Sequence, residues 1–283
     1  MSSVVLACID GSVYSSTVAD HAAWAAARLG APVEVLKVLG RREVSSTDRS
    51  GRIVPAARRQ LLEKLAEVDA ERAKLLHQEG WLDLEEAEKR IAAAGVGEVT
   101  TLLRHGDLLE TLAERTASAQ LVVIGKRGEA ADFAKLHLGS NLERIVRATH
   151  EPILIATRNF RPIHRVLIAF DGRTSAMKAV DAIARSPLYA GMTCQLLYAG
   201  TVDDEARKKL DVAASQLTGG GLTAEIRTEP GEPAAVIGGA VEEGGDQMLV
   251  MGAYGHSRLR SLVIGSTTTE LIRSCKLAIM IYR

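Results

Sequence analysis

The sequence has few cysteines, no excess of either charge and no long hydrophobic run. Its cysteines (Cys8, Cys194, Cys275) are far apart and show no CxxC spacing, which argues against a disulfide framework and a cysteine-based zinc site. Lysine plus arginine equals aspartate plus glutamate at 35 each, so the overall charge attracts neither nucleic acid nor an anionic membrane. No apolar run reaches the roughly 20 residues of a membrane span, and there is no basic leader. We therefore expect a cytoplasmic protein without nucleic-acid or membrane partners.

The motifs of several enzyme classes are also missing. The sequence contains no GxxxxGK[ST] phosphate-binding loop and no GxSxG or HExxH motif. Its seven histidines are scattered, and their spacing does not indicate a metal site. The sequence therefore predicts neither catalytic residues nor metal ligands.

The chain is built from two copies of one pattern. Five blocks recur in the same order, and this indicates a tandem duplication. Two of the matching pairs are Val4–Ser12 with Val166–Thr174 and Leu121–Gly128 with Met248–Gly255. The 283 residues are enough for two domains of ordinary size. We predict a first domain at residues 1–158 and a second at 164–283.

Each copy alternates apolar strands with helices. In the first copy the pattern predicts strands at Val4–Ile9, Val33–Val38, Val99–Arg104, Leu121–Ile124 and Ile153–Ile155. Continuous apolar strands separated by helices indicate a parallel sheet covered on both faces. The predicted fold class is α/β, with two tandem, doubly wound, Rossmann-like domains. Ligands of such sheets bind beyond the carboxyl ends of the strands, where the strand order reverses.

The stretch Leu249–Thr269 is the strongest candidate for a ligand site. An apolar run ends at Gly252, Gly255 and Gly265 follow, and Ser266 opens a predicted helix. A helix N-terminus presents unpaired N–H groups and the positive end of a dipole, which favour an anion such as phosphate. Glycines let the backbone approach a ligand closely. The stretch therefore predicts a phosphate cradle.

With these residues the chain resembles the universal stress protein family in its tandem form, over essentially its whole length. The family's nucleotide-binding signature is Gly, two residues, Gly, nine residues, Gly, then Ser or Thr. The residues that match it without a gap are Gly252, Gly255, Gly265 and Ser266. The resemblance implies adenine nucleotide alpha hydrolase-like domains, a role in stress response, and ATP as ligand, with or without Mg²⁺.

The resemblance also implies a role for each residue in the second copy. The implied nucleotide-binding residues are Asp171, Ala199, Met251, Gly252, Gly255, Gly265, Ser266 and Thr267. Asp171 and the backbone near Ala199 face the adenosine. Met251 and Gly252 lie under the ribose, and the remaining four residues face the phosphates.

The first copy departs from the signature. Its weaker candidate site consists of Asp10, Gly125, Gly128, Gly139 and Ser140. Ten residues separate the last two glycines, and the extra one can displace Gly139 by up to about 3.5 Å, more than a phosphate hydrogen bond tolerates. Lys126 and Arg127 in this loop either compensate with charge or form a solvated pair. We therefore predict that nucleotide binds mainly in the second copy.

Each of these predictions has an alternative. Asp171 can cap a turn without any ligand, and Thr267 with Glu270, or Ser140 with Glu143, can form a helix capping box. Three functional hypotheses stay open: nucleotide binding with little or no turnover, slow ATP hydrolysis or self-phosphorylation, and a scaffold whose crevices are empty.

The copies differ most between their second and third strands, where the first copy carries an insertion at 41–95. We predict a polar loop at Arg41–Ile53, a helix over Ala56–Glu79 that Gly80 breaks, and a second helix over Trp81–Ala94. The insertion either covers its own sheet or forms a surface for a partner or for a dimer.

The last strands of the two copies are apolar, which suggests that the copies pair along them as a pseudo-dimer within the chain. The strands are predicted at Ile153–Ile155 and Ala278–Ile281. Pairing protects two edges that otherwise invite aggregation. Whether two chains associate further into a homodimer is left open.

Overall fold

The described strands form one ten-stranded sheet. The computed structural model describes residues 3–40, 56–126, 140–244, 247–253 and 266–283. The strands of the first copy are β1 Val4–Ile9, β2 Val33–Gly40, β3 Val99–Gly106, β4 Ala119–Gly125 and β5 Ile153–Ala156. Those of the second copy are β6 Arg165–Ala169, β7 Thr193–Ala199, β8 Thr223–Glu229, β9 Gln247–Gly252 and β10 Ala278–Tyr282. The five strands predicted in the first copy are confirmed.

The strand order is β3-β2-β1-β4-β5-β10-β9-β6-β7-β8, so both copies have the same internal order. Within each copy the pairs are parallel, and the first strand lies beside the fourth. The winding reverses between these two strands, which opens a crevice at their carboxyl ends. The predicted doubly wound α/β fold is confirmed in each copy.

Helices cover both faces of the sheet. The described helices are α1 Ser15–Leu29, α2 Ala56–Ala93, α3 Leu108–Thr116, α4 Ser140–Ala148, α5 Thr174–Arg185, α6 Asp204–Gly219, α7 Pro233–Glu243 and α8 Ser266–Ser274. Helices α1, α2, α5 and α6 pack on one face, and the other four pack on the opposite face. Among these helices, none combines the length and apolar character needed to span a membrane.

The prediction that Gly80 ends a helix is wrong. Helix α2 runs without interruption through Gly80 for 38 residues. A Cβ added at Gly80 would lie 2.9 Å from Leu103 Cδ1 of β3. The glycine therefore allows the helix to approach the sheet closely, and this contact offsets its poor helix propensity.

The two ends of α2 have different surroundings. Its C-terminal part packs on the sheet through Leu84, Ala87 and Ile91, which are buried. Residues 60–79 of the same helix are all exposed. The insertion therefore covers its own sheet, as one alternative predicted, but only with its last turns.

The two copies share the sheet through their last strands. Strand β10 pairs antiparallel with β5, with Met280 beside Leu154, so the predicted pairing within the chain is present. Below it, the hydroxyl groups of Tyr189 and Tyr282 lie 2.7 Å apart and are buried. The Arg28 guanidinium of α1 also donates hydrogen bonds to the second copy, with Leu188 O 2.5 Å from its Nε.

Candidate functional site

Asp171 follows β6 and forms the first turn of the crevice in the second copy. Its Oδ1 accepts a hydrogen bond from the Arg173 backbone N–H at 3.0 Å. Its Oδ2 lies 3.8 Å from the Arg173 guanidinium, and 44% of the Asp171 side chain is exposed. The turn-capping alternative is therefore present, and it leaves part of the carboxylate exposed.

Three strand ends bring four of the predicted residues together. The register of β6 with β7, continued by two residues, brings Asp171 beside Ala199. The register of β6 with β9 brings Met251 and Gly252 to the other side of β6. Since neighbouring strands are about 4.8 Å apart, these residues lie along one short stretch of the carboxyl edge.

Gly252 contacts residues of two helices, Ser175 of α5 and Thr268 of α8. A Cβ added at Gly252 would lie 2.7 Å from Ser175 Oγ, so a larger residue fits only if α5 moves. The Gly252 carbonyl oxygen accepts a hydrogen bond from Thr268 Oγ1 at 3.4 Å, and Thr268 is buried in the first turn of α8. These contacts fix the start of α8 against the end of β9.

Helix α8 begins at Ser266, close to the same edge. Ser266 is exposed and Thr267 is half-buried. Thr267 is the second residue of the helix, and the capping box that it can form with Glu270 stays an alternative. The first turn of a helix leaves backbone N–H groups without partners in the helix, and such groups favour an anion.

Part of each predicted site lies outside the described residues. This holds for Gly255 and Gly265 in the second copy and for Gly128 and Gly139 in the first, as well as for the polar loop at Arg41–Ile53. The contribution of these positions to ligand binding stays a prediction.

The first copy repeats the edge geometry. Asp10 Oδ1 accepts a hydrogen bond from the Ser12 backbone N–H at 3.0 Å, the same turn that follows β6. Strand β4 ends at Gly125, which pairs with Ala156, and α4 begins at Ser140. The two crevices therefore share their backbone frame.

Lys126 connects the first copy to the second. Its ammonium donates a hydrogen bond to the Cys275 carbonyl oxygen, at an Nζ–O distance of 2.5 Å. The sequence left open whether Lys126 offers its charge to a ligand or to solvent. In the structure this lysine holds the end of β4 against the end of α8.

The side chains around the first crevice form an ion pair that the sequence did not reveal. Lys37 of β2 pairs with Asp83 of α2, and only 7% of the Lys37 side chain is exposed. A Cβ added at Gly11, which has φ +86°, would lie 2.9 Å from Asp83 Oδ2 and 3.0 Å from Lys37 Nζ. The pair therefore contacts the turn that follows β1.

In the second crevice the corresponding space is filled differently. Tyr198 takes the strand position that Lys37 holds in the first copy. A Cβ added at Gly172 would lie 3.0 Å from Lys209 Cδ of α6. The Lys209 ammonium bonds Glu205 at 2.6 Å, which raises the pKa of Lys209. Lys209 was not predicted, because sequence spacing does not show which side chain of α6 contacts the turn after β6.

None of the three cysteines is among the predicted site residues. The cysteines are free thiols, and burial raises the pKa of Cys8 and of Cys194 to about 12. Within the described ranges, no group of three or more His, Cys, Asp or Glu side chains can hold a metal ion. A separate cleft of about 870 Å³ is lined by Arg158, Arg161 and Arg273 among others, and by none of the nucleotide-binding residues predicted in the second copy.

The fold and its edges define a class of protein: two doubly wound α/β domains in tandem, joined through one sheet, each with a crevice at its strand ends. The model of the universal stress protein family matches residues 1–157 and again 162–283. The chain therefore belongs to the universal stress protein family, with two copies of the domain.

Known proteins agree with this assignment. A universal stress protein of Synechocystis is 34% identical over 284 residues, and the match covers 99% of each chain. The crystal structure of a universal stress protein from Archaeoglobus fulgidus matches with a TM-score of 0.71 at 19% identity, covering 100% of this chain and 99% of that one. A functionally unknown protein from Pseudomonas aeruginosa matches with a TM-score of 0.63 at 16% identity, covering 99% and 92%. The two structural matches support the fold.

Proposed function

We propose that this protein is a cytoplasmic, ATP-binding stress-response protein that holds the nucleotide mainly in its second domain, with little or no turnover. The observation that carries the proposal is the adjacency of β7, β6 and β9. Their ends present Asp171, Ala199 and Gly252 along one edge. This edge lies where doubly wound sheets bind their ligands.

The chemistry of the edge suits an adenine nucleotide. Asp171 supplies a partly exposed carboxylate, which can accept hydrogen bonds from ribose hydroxyls or an adenine amino group. Ser266 and Thr267 supply hydroxyls at the start of α8, where backbone N–H groups can donate to phosphate. The contacts of Gly252 with Ser175 and Thr268 fix the end of β9 relative to the start of α5 and of α8.

Membership of the universal stress protein family supports the same ligand. The second copy keeps the spacing of the family's nucleotide signature, whereas the first has one residue more between its last two glycines. In the first crevice an ion pair also contacts the turn after β1. We therefore assign the stronger binding to the second domain, and Mg²⁺ enters only as the ion that accompanies ATP.

Calorimetric titration of the full chain with ATP tests this assignment, because the duplication supplies matched variants. Asp171→Asn in the second copy is compared with Asp10→Asn in the first. A hydrogen bond that involves a charged group contributes about 1.5–3 kcal/mol, so we expect Asp171→Asn to weaken binding by about 10- to 100-fold. Asp10→Asn leaves the affinity within about twofold of wild type.

Thr267→Ala is a second probe and removes one hydroxyl from the start of α8. The helix keeps its propensity because alanine is a good helix former, so stability changes little while ATP affinity falls. ATP at about 100 times its Kd should raise the free energy of unfolding by about 2.7 kcal/mol. An unchanged melting temperature at millimolar ATP would contradict the proposal and favour an empty scaffold.

Turnover is tested with labelled ATP and Mg²⁺. We expect neither phosphate release nor labelled protein beyond the background of a Gly265→Val variant. Release or labelling that this substitution abolishes would instead establish slow hydrolysis or self-phosphorylation, and would overturn the part of the proposal that excludes turnover.

A further inference from the structure

The N-terminal part of α2 is exposed to solvent and touches the body of the first domain only near its C-terminal end, where the His77 ring stacks on His105 of β3. Gly80 lies opposite Leu103 in β3, and β3 ends at Gly106. Residues 60–79, the projecting segment, precede this contact and are all exposed. At about 1.5 Å per residue the projecting segment is about 30 Å long.

One side of this helix is apolar although it faces solvent. The apolar face comprises Leu61, Leu62, Leu65, Val68, Leu75, Leu76 and Leu82. These residues recur at the spacings of three, four and seven that place side chains on one side of a helix, and between 41% and 65% of each is exposed. Soluble monomers rarely expose contiguous apolar surface beyond about 300–600 Å², so this face indicates an interaction surface.

Two charges of opposite sign interrupt the apolar face. Arg72 and Glu79 continue the series of Leu65, Val68 and Leu75 at spacings of four and three. They are seven residues apart, about 10 Å along the helix, so they lie on the same side but two turns from each other. Neither forms an ion pair with another described residue of its own chain.

We propose that the apolar face is a homodimer interface, in which α2 of a second copy packs antiparallel across it. A two-fold axis near Leu75 brings Arg72 of each chain opposite Glu79 of the other, and it brings Val68 opposite Leu82 of the other. A parallel arrangement would instead place Arg72 against Arg72 and Glu79 against Glu79. Facing like charges are destabilising and facing opposite charges set orientation in paired helices, so the sequence of the face favours the antiparallel pair.

The face is also self-complementary in the way a two-fold interface requires, since the same patch serves both copies. A stable interface needs about 1,000 Å² of total buried surface, or about 500 Å² per copy. Seven large apolar side chains along about 33 Å of helix from each copy provide a surface of this size. The second crevice takes no part in this contact, so the inference is independent of the proposed nucleotide site.

The test begins with the mass of the full chain in solution, measured by light scattering and sedimentation at about 1–100 µM, where weak dimers dissociate. We expect a dimer, and Leu65→Glu with Leu75→Glu should raise its Kd by at least about 30-fold. The matched control is Val212→Glu on α6, another exposed apolar position outside the face, and it should leave the dimer intact. Both leucines are exposed in the single chain, so the melting curve of the dilute variant should match wild type.

Charge reversal tests the orientation. Arg72→Glu and Glu79→Arg should each weaken the dimer, and the double reversal should restore it. Under oxidation, Val68→Cys combined with Leu82→Cys should give a disulfide between chains, whereas Val68→Cys alone should not. The two positions are about 21 Å apart within one helix, too far for a bond inside the chain.

Three results would overturn the proposal. One is a monomer over the whole concentration range, including a monomer that binds anionic phospholipid vesicles or another protein through this face. Another is a dimer that survives Leu65→Glu with Leu75→Glu, since its interface must then lie elsewhere. A dimer that Val68→Cys alone crosslinks is parallel, and the antiparallel pairing is then wrong.

Discussion

The two copies of the domain share a backbone frame but differ in the helix that joins their second and third strands. In both copies the strand order is the same, and an aspartate turn of the same geometry follows the first strand. The joining helix has 38 residues in the first copy and 16 in the second. Sheet register therefore fixes the residues at the crevice edge, while the crossover helix can change its length and its surface without disturbing them.

The two crevices also differ in the side chains that lie beside the turn after the first strand of each copy. At the first, Lys37 and Asp83 pair beside the turn, with 7% of the lysine side chain and 25% of the aspartate side chain exposed. At the second, Tyr198 and Lys209 lie there, and 45% of the Lys209 side chain is exposed. The same backbone frame thus carries a largely buried ion pair in the first copy, and in the second copy it carries the Tyr198 ring and an exposed ion pair of Lys209 with Glu205. The copy with the exposed lysine is also the copy that keeps the glycine spacing of the nucleotide-binding signature.

The strand pair that joins the copies should give the largest effect on stability. Leu154 of β5 is fully buried beside Met280 of β10, so Leu154→Ala should lower the free energy of unfolding by about 4 kcal/mol. Because the core is shared, we expect both copies to unfold together. Tryptophan fluorescence reports the first copy alone, through Trp24 and Trp81, and far-ultraviolet circular dichroism reports both. Separate transitions for the two signals would show that the copies unfold independently.

Removing one partner of each crevice ion pair sharpens the comparison. Asp83→Ala leaves Lys37 charged and almost buried, and we expect a loss of about 3 kcal/mol in urea unfolding. The matched change in the second copy is Glu205→Ala, which frees an exposed lysine on the same helix and should cost much less, because water screens the exposed pair. Equal losses in the two variants would mean that the Lys37–Asp83 pair is as solvated as the Lys209–Glu205 pair.

Local sequence patterns predict the strands and their order along the chain. Side-chain contacts between residues far apart in sequence could not be predicted in this way. Apolar periodicity and the internal repeat place the strands and the edge residues, because sheet register depends on patterns that recur every few residues. The Lys37–Asp83 pair joins positions 46 apart in sequence, and no local pattern indicates that they meet. The close approach of Gly80 to Leu103 is likewise tertiary, which is why the helix continues where sequence signals predict its end.

The same glycine provides a prediction of smaller size. Gly80→Ala should destabilise the protein by about 1 kcal/mol, since overpacking against Leu103 outweighs the gain in helix propensity. In a Leu103→Ala background the space is open, and the same change should stabilise by up to about 1 kcal/mol. Urea unfolding of the four proteins gives the coupling free energy. If Gly80→Ala changes the free energy of unfolding in the same direction in both backgrounds, then the contact with Leu103 is not the reason for glycine at position 80.

The smallest expected effect concerns His21, whose counterpart in the second copy is Ala182. His21 is buried, its Nδ1 lies 2.7 Å from Thr17 O, and its ring contacts Phe160. Burial lowers the pKa of His21, opposed by the bond to Thr17 and the nearby Asp20 charge.

Below the unfolded pKa of about 6.5, the unfolded chain takes up a proton that the folded chain accepts only at lower pH. Folding stability at this site therefore falls as the pH drops below about 6.5. Urea unfolding at pH 7.5 and pH 5.5 should show a smaller loss in His21→Gln than in wild type, while the exposed control His150→Gln behaves as wild type. If His21→Gln keeps the full pH dependence, the buried imidazole of the first copy does not contribute to it.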